Sequence, residues 1–82
     1  MELSEFKIVK NRQRPEFCYA YEKYNDFKTE KYSLFTMNGG STYLASVTSA
    51  NNNGKLVDTD FSETFPSAQE GLNAINKFLN KS

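Results

Sequence analysis

The chain has 82 residues, with ten basic and ten acidic side chains, no histidine and no net charge at pH 7. That length allows one domain with a small core, and the cancelled charge removes the field that usually draws a protein to nucleic acid or to an anionic membrane. Without histidine the usual general base, the Ser-His and Cys-His pairs and imidazole metal ligation are unavailable, so the sequence predicts a non-catalytic protein with no cofactor, no metal and no small-molecule substrate.

Seven Phe and five Tyr make up 15% of the residues. In so short a chain they either supply most of the core or leave a sticky face outside. The only cysteine, Cys18, cannot close an intramolecular disulfide, which favours a reducing compartment, and with Phe17 and Tyr19 beside it reads as a small apolar residue rather than a reactive thiol. No apolar run approaches the length of a membrane span, and the opening Met1 to Glu5 lacks the basic flank and apolar stretch of a signal peptide, so a cytoplasmic location is expected.

In chain order, residues 1–14 read as an N-terminal strand or arm and 15–82 as a single α+β domain. Glu5 to Lys10 carries Phe6 and Ile8 on one side. Lys7, Lys10, Arg12 and Arg14 cluster in eight positions and form the best anion-binding candidate, against the simpler reading of a solvated arm. The segment Glu16 to Asn25 fits two periods. Phe17, Tyr19 and Tyr21 alternate as in a strand, whereas Phe17, Tyr21 and Tyr24 recur at helical spacing. Pro15 suits the first turn of a helix or the entry of an edge strand. The polar connection Asp26 to Glu30 that follows favours a first helix at about 15–25.

Lys31 to Met37 predicts a strand with Tyr32 and Leu34 on one face and Phe35 and Met37 on the other, ended by Asn38-Gly39-Gly40-Ser41, whose glycines permit a tight hairpin. Thr42 to Ser49 alternates Tyr43, Ala45 and Val47 against Leu44, Ser46 and Thr48, giving one buried and one wet face. Asn51 to Gly54 closes a second hairpin, with Asn53-Gly54 the favoured pair for a type I′ turn, and Lys55 to Phe61 returns antiparallel. Ser67-Ala68-Gln69-Glu70 matches a capping box, so the last helix starts near Ser67 and lays Ala68, Gly71, Leu72, Ile75, Phe78 and Leu79 on the core. Gly71 on that buried face predicts close approach of helix and sheet, since glycine costs roughly 1 kcal/mol of helix propensity against alanine. The expected fold is a three- to four-stranded antiparallel sheet packed by a C-terminal helix, in the order α-β-β-β-α if the first helix forms.

Pro15 with Tyr21, Gly39-Gly40-Ser41 in the first hairpin, Tyr43-x-Ala45-x-Val47 in the middle strand, and Phe65-x-Ser67 leading to Ala74 and Leu79 resemble a double-stranded-RNA-binding domain over about two thirds of the chain. The resemblance implies a helix, three antiparallel strands and a helix. Small phage and viral proteins, and the arm domains of phage integrases, look similar. The departures bear on function. The family grips RNA with a proline- and histidine-bearing hairpin loop and a lysine cluster at the start of the last helix. Here the loop has neither residue, and Ala68, Gln69 and Leu72 stand at the lysine positions. Asp58, Asp60, Glu63 and Glu70 surround that helix start and repel the phosphate it would otherwise attract. A degenerate member that serves as an interaction or dimerisation module is what the resemblance then implies.

Two functional classes follow. The favoured one is a small module that binds a protein partner or a second copy of itself, with Tyr19, Tyr21 and Tyr24 as candidate contact residues and Asp58, Asp60, Glu63 and Glu70 as an acidic patch for a basic partner; a phage-type inhibitor of a nucleic-acid enzyme is one concrete version. Asp58 and Asp60, helped by Glu63, are considered and set aside as a cation site, being better read as a guard on an edge strand. The alternative is weak binding of double-stranded RNA or other nucleic acid through Lys7, Lys10, Arg12 and Arg14, with Lys23, Lys28 and Lys31 adding charge and Tyr side chains stacking on bases.

Overall fold

The computed structural model describes residues 1–81, an α+β fold of one five-stranded antiparallel sheet and one helix. After a single 3-10 turn over Leu3–Glu5 come strands β1 (Lys7–Lys10), β2 (Tyr19–Tyr24), β3 (Glu30–Thr36), β4 (Tyr43–Ala50) and β5 (Leu56–Phe65), followed by helix α1 (Ala68–Asn80). The strands lie in sequence order, each paired with the next.

No first helix forms at 15–25. Pro15 instead enters a tight turn in which the amides of Phe17 and Cys18 both donate to the Arg14 carbonyl, and the Asn11 side chain accepts from the amides of Gln13 and Arg14. Beyond the turn Tyr19–Tyr24 is a strand with backbone partners on both sides, Lys7–Lys10 and Lys31–Thr36. The helical spacing of Phe17, Tyr21 and Tyr24 arises because Tyr21 and Tyr24, three apart on a strand, point to opposite faces. Sheet pairing on two edges outweighs so short a local pattern. The sheet therefore has five strands rather than three or four, with Lys7–Lys10 as its first edge.

Register sorts the strands into two faces. One carries Tyr21, Leu34 and Ala45 in a single cross-strand row, flanked by Tyr32, Val47 and Phe61 on one side and by Tyr43 and Phe65 on the other. Helix α1 packs there with Leu72 and Ile75 fully buried, and Phe78 lies 5.2 Å from Phe61 between ring centroids. The Ser67 hydroxyl accepts from the Glu70 amide at 3.2 Å, so the helix starts where the sequence places it. The second half of the capping box differs, since the Glu70 carboxylate accepts a hydrogen bond from the Ser67 hydroxyl, O to O 3.0 Å, rather than from the Ser67 amide. The N-terminal turn closes the side of this layer. Phe6 is buried, and the Met1 ammonium and carbonyl bond to the two ends of the Asn76 amide.

The hairpins follow the same division between expectation and outcome. Gly39 and Gly40 both adopt positive φ, as a tight β3–β4 connection requires. The Asn51–Gly54 turn is not type I′, because Gly54 alone among its residues has positive φ; the Gly54 amide donates to the Asn51 carbonyl at 3.0 Å. Among the described residues no helix is long and apolar enough to cross a membrane.

Gly71 sets the helix-to-sheet distance. A Cβ at this position would stand 2.8 Å from Leu34 Cδ2 and 3.2 Å from Ala45 Cβ, and both neighbours are fully buried. Alanine gains helix propensity but overpacks this contact, which costs roughly 1–3 kcal/mol. Gly71→Ala is therefore expected to lower stability despite its propensity gain of about 1 kcal/mol, read as a lower urea midpoint with unchanged slope.

Candidate functional site

On the helix side the sheet is closed by a tyrosine cluster beside the helix start. The Tyr19 and Tyr43 hydroxyls share a 2.8 Å hydrogen bond, and Tyr21 lies with its ring centroid 6.1 Å from Tyr19 and 6.2 Å from Tyr43. Gly40 passes over the two hydroxyls so closely that a Cβ there would sit 2.9 Å from one and 3.0 Å from the other. The loop that carries Gly40 is fixed by Thr36, whose buried hydroxyl donates to Asn38 Oδ1 and accepts from the Gly40 amide, while the Asn38 side chain bonds to the Thr42 amide and hydroxyl. This is packing with its polar atoms paired, and among the described residues no buried side-chain N or O lacks a hydrogen-bond partner.

Among the described residues none forms a layer over the other face. Its central row runs Val9, Ala20, Phe35, Leu44 and Thr64 across all five strands. Cys18 and Met37 extend it towards the β3–β4 end, where the thiol approaches the Met37 carbonyl at 4.0 Å. Met37 is 69% exposed, Val9 45%, Leu44 40% and Phe35 37%. Ala20, the smallest side chain of the row, floors a groove of about 340 Å³ lined by Val9, Cys18, Phe35 and Met37. The next row, Lys7, Glu22, Ser33, Ser46 and Ser62, is polar, and beyond it lie Tyr24, Lys31, Thr48 and Thr59. Lys31 forms a 3.1 Å ion pair with Glu22 and stands 5.9 Å from the centre of the Tyr24 ring. The face is thus apolar at one end and hydroxyl-bearing at the other.

The candidate residues from the sequence do not assemble into one site. Tyr19 and Tyr21 belong to the helix-side cluster, whereas Tyr24 lies on the uncovered face. Asp58 and Asp60 are exposed on β5, and Asp60 is an extra residue at a bulge, between Phe61 opposite Val47 and Thr59 opposite Thr48. Glu63 lies on the helix side, lining a groove that Lys77 and Lys81 also line. Glu70 is held by Ser67 in the first helical turn. Asp58 and Glu63 stand opposite Ser49 and Ala45, four residues or about 13 Å along a strand, and on one strand with Asp60 between them the carboxylates form a line rather than a patch. Among the described residues no three His, Cys, Asp or Glu side chains converge as metal ligands.

The basic candidates are divided as well. Lys7 and Lys10, three apart on β1, point to opposite faces. Arg12 and Arg14 are in the following turn, with the Arg14 guanidinium 5.4 Å from the centre of the Phe17 ring. Lys23 pairs across from Tyr32 on the helix side, and Lys28 occupies a left-handed position, φ 56°, in the β2–β3 loop. Sequence reasoning did not combine Val9, Ala20, Phe35, Met37 and Leu44. The signal was the second apolar face of the 31–37 segment, where Phe35 and Met37 stand opposite the side that buries Tyr32 and Leu34.

No family model, curated protein or solved structure matches the chain. The site is therefore read from its own geometry.

Two tyrosines titrate late. Burial, followed by a 2.7 Å hydrogen bond to the Glu30 carboxylate and that group's charge, pushes Tyr32 up to about 12. Burial and the bond with Tyr19 raise Tyr43 as well. An unfolded tyrosine ionises near 10, so between pH 10 and 12 the unfolded chain has lost protons that the folded one still holds. Stability is then whole below pH 10 and falls as pH rises through the folded values. Tyr32→Phe and Tyr43→Phe should each flatten this alkaline decline, measured as the urea midpoint against pH.

Proposed function

We propose that the protein is a non-catalytic binding module that recognises another protein surface with the uncovered face of its sheet. The observation that carries this reading is the contiguous row Val9, Ala20, Phe35 and Leu44, extended by Met37, on a face with no layer over it. A one-sided antiparallel sheet ordinarily turns a polar face to water. Large apolar side chains grouped at the centre of such a face, with hydroxyls and one ion pair around them, have the arrangement of an interface with an apolar centre and a polar rim. This moves the contact surface away from Tyr19, Tyr21 and the acidic line.

Nucleic-acid binding has less support. Lys7 and Lys10 address different faces, and the paired positions of the uncovered face carry the charges Lys7, Lys31 and Glu22, two of them paired with each other. A phosphate backbone needs a continuous basic track.

Peroxide footprinting tests the reading, with Met1 as the internal control for Met37. Occupancy of the face slows Met37 oxidation several-fold, either as the purified protein is concentrated or in nuclease-treated cell extract, while Met1 is unchanged. The same protein titrated at low salt with an RNA duplex, a DNA duplex and a single strand should show no amide shifts at Lys7, Lys10, Arg12 or Arg14. Free oxidation of Met37 in every condition, together with salt-sensitive shifts at those four residues, would replace this reading by the nucleic-acid one.

A further inference from the structure

We infer that the occupant of the uncovered face is a second copy of the chain, in a face-to-face dimer whose two-fold axis runs parallel to the strands above β3. This deepens the protein-binding reading and rests on it. The sheet has five strands in sequence order, so β3 is its centre. Rotation about an axis along β3, between the two sheets, lays β1 over the partner's β5 and β2 over the partner's β4, and leaves each residue at its own level along the strands. Each row then meets itself in reverse order. In the apolar row Phe35 meets the partner's Phe35, Ala20 meets the partner's Leu44, and Val9 meets the partner's Thr64. The small side chain that floors the groove faces the large one two strands away, which is the shape match a close-packed interface needs.

The polar rows obey the same operation. Lys7, on the β1 edge, comes over the partner's Ser62, and Glu22 comes over the partner's Ser46, so each charge meets a hydroxyl rather than a like charge. Lys31 is brought near its own copy on the axis, but each already holds Glu22 at 3.1 Å. The chain has no net charge, so no long-range repulsion opposes pairing. The other in-plane two-fold, perpendicular to the strands, fails on both counts. Placed on the apolar row it stacks Ala20 on Ala20 and Leu44 on Leu44, leaving a gap beside a crowded point, and it sets the acidic β5 edge over itself.

Size is compatible. Five strands about 4.8 Å apart and seven residues about 3.3 Å apart span roughly 24 by 23 Å. That is on the order of 550 Å² in projection and more with side-chain relief, against about 800 Å² per partner in a standard interface. Aligned sheets cross at about 30°. At β2 and β4, about 5 Å from the axis, the rows slip by only roughly 2.5 Å, less than the ~7 Å between rows.

Sedimentation velocity from low micromolar to several hundred micromolar tests the inference. The native chain should pass from monomer to dimer, Phe35→Glu should weaken the dimer at least tenfold, and Phe27→Glu, in the β2–β3 loop, should leave it unchanged. Leu44→Lys gives the same reading if Phe35→Glu does not fold by circular dichroism. In a Cys18→Ser background, Ser33→Cys, on the axis with Phe35 left in place, should be joined to its copy by a short bifunctional thiol cross-linker, and Val57→Cys at the β5 edge should not. A chain that stays monomeric throughout, or a dimer indifferent to Phe35 and Leu44, overturns the inference. Monomer in pure solution with Met37 protected in extract overturns the dimer but keeps the protein-binding reading; Met37 unprotected everywhere removes both.

Discussion

Among the described residues one thirteen-residue helix lies over a sheet of five strands, and the fit at Gly71 decides where it lies. A helix is about 10 Å across, whereas five strands span roughly 24 Å, so it covers about half the width of one face. Close approach at Gly71 draws the helix over Leu34, Ala45 and Phe65, towards the β5 side. The remainder of that face is left to side chains from elsewhere. Phe6 and the N-terminal turn fill the flank of the helix, tied by the pair of bonds between Met1 and Asn76. The tyrosine cluster fills the space beside the helix start, which is why rings that look like contact residues in the sequence are spent on closing the core.

With the helix committed to one face, none of the described residues covers the other, and the edges of the sheet are poor places to add a strand. The first edge, β1, has four residues. The other, β5, has ten but carries two register shifts, at Asp60 and at Val57, and the carboxylates of Asp58, Asp60 and Glu63. Bulges twist an edge strand and its charges repel a like edge. Association in the plane of the sheet is opposed on both sides, and the apolar face is the surface on which association is not opposed.

How much of this was legible follows from which signals are local. The strand 43–50 and the helix could be read because alternation and the Ser67 cap act within a few residues. The 16–25 segment could not. Tyr21 and Tyr24 serve opposite faces of a strand, and the resulting spacing imitates a helix; what distinguishes the two is pairing with Lys7–Lys10 and Lys31–Thr36, which no short window contains. Phe35 and Met37 were visible as a second apolar side of their strand. That they join Val9, Ala20 and Leu44 is a property of register between segments up to 35 residues apart in the chain, and alternation alone does not say whether a second apolar side meets another layer of the same chain or a separate surface. The acidic residues misled for the same reason: near each other in sequence, they are strung along an extended, bulged strand and a helix start.

The distribution of charge then constrains how the uncovered face can recognise anything. A neutral chain whose face charges are Lys7 and an ion pair cannot steer a partner from a distance. Discrimination has to come at contact, from the relief of the apolar row and from the direction set by its polar neighbour. Those two rows differ in kind. Sliding a flat partner by one row along the strands brings Ser33, Ser46 and Ser62 against apolar groups and leaves their hydroxyls without water, a loss of roughly 1–3 kcal/mol for each one left unpaired. The serines thus act as a register mark beside the apolar row, fixing the position of a partner that charge does not guide, and the rigid β3–β4 loop held by Thr36 and Asn38 keeps the Met37 end of the row in place.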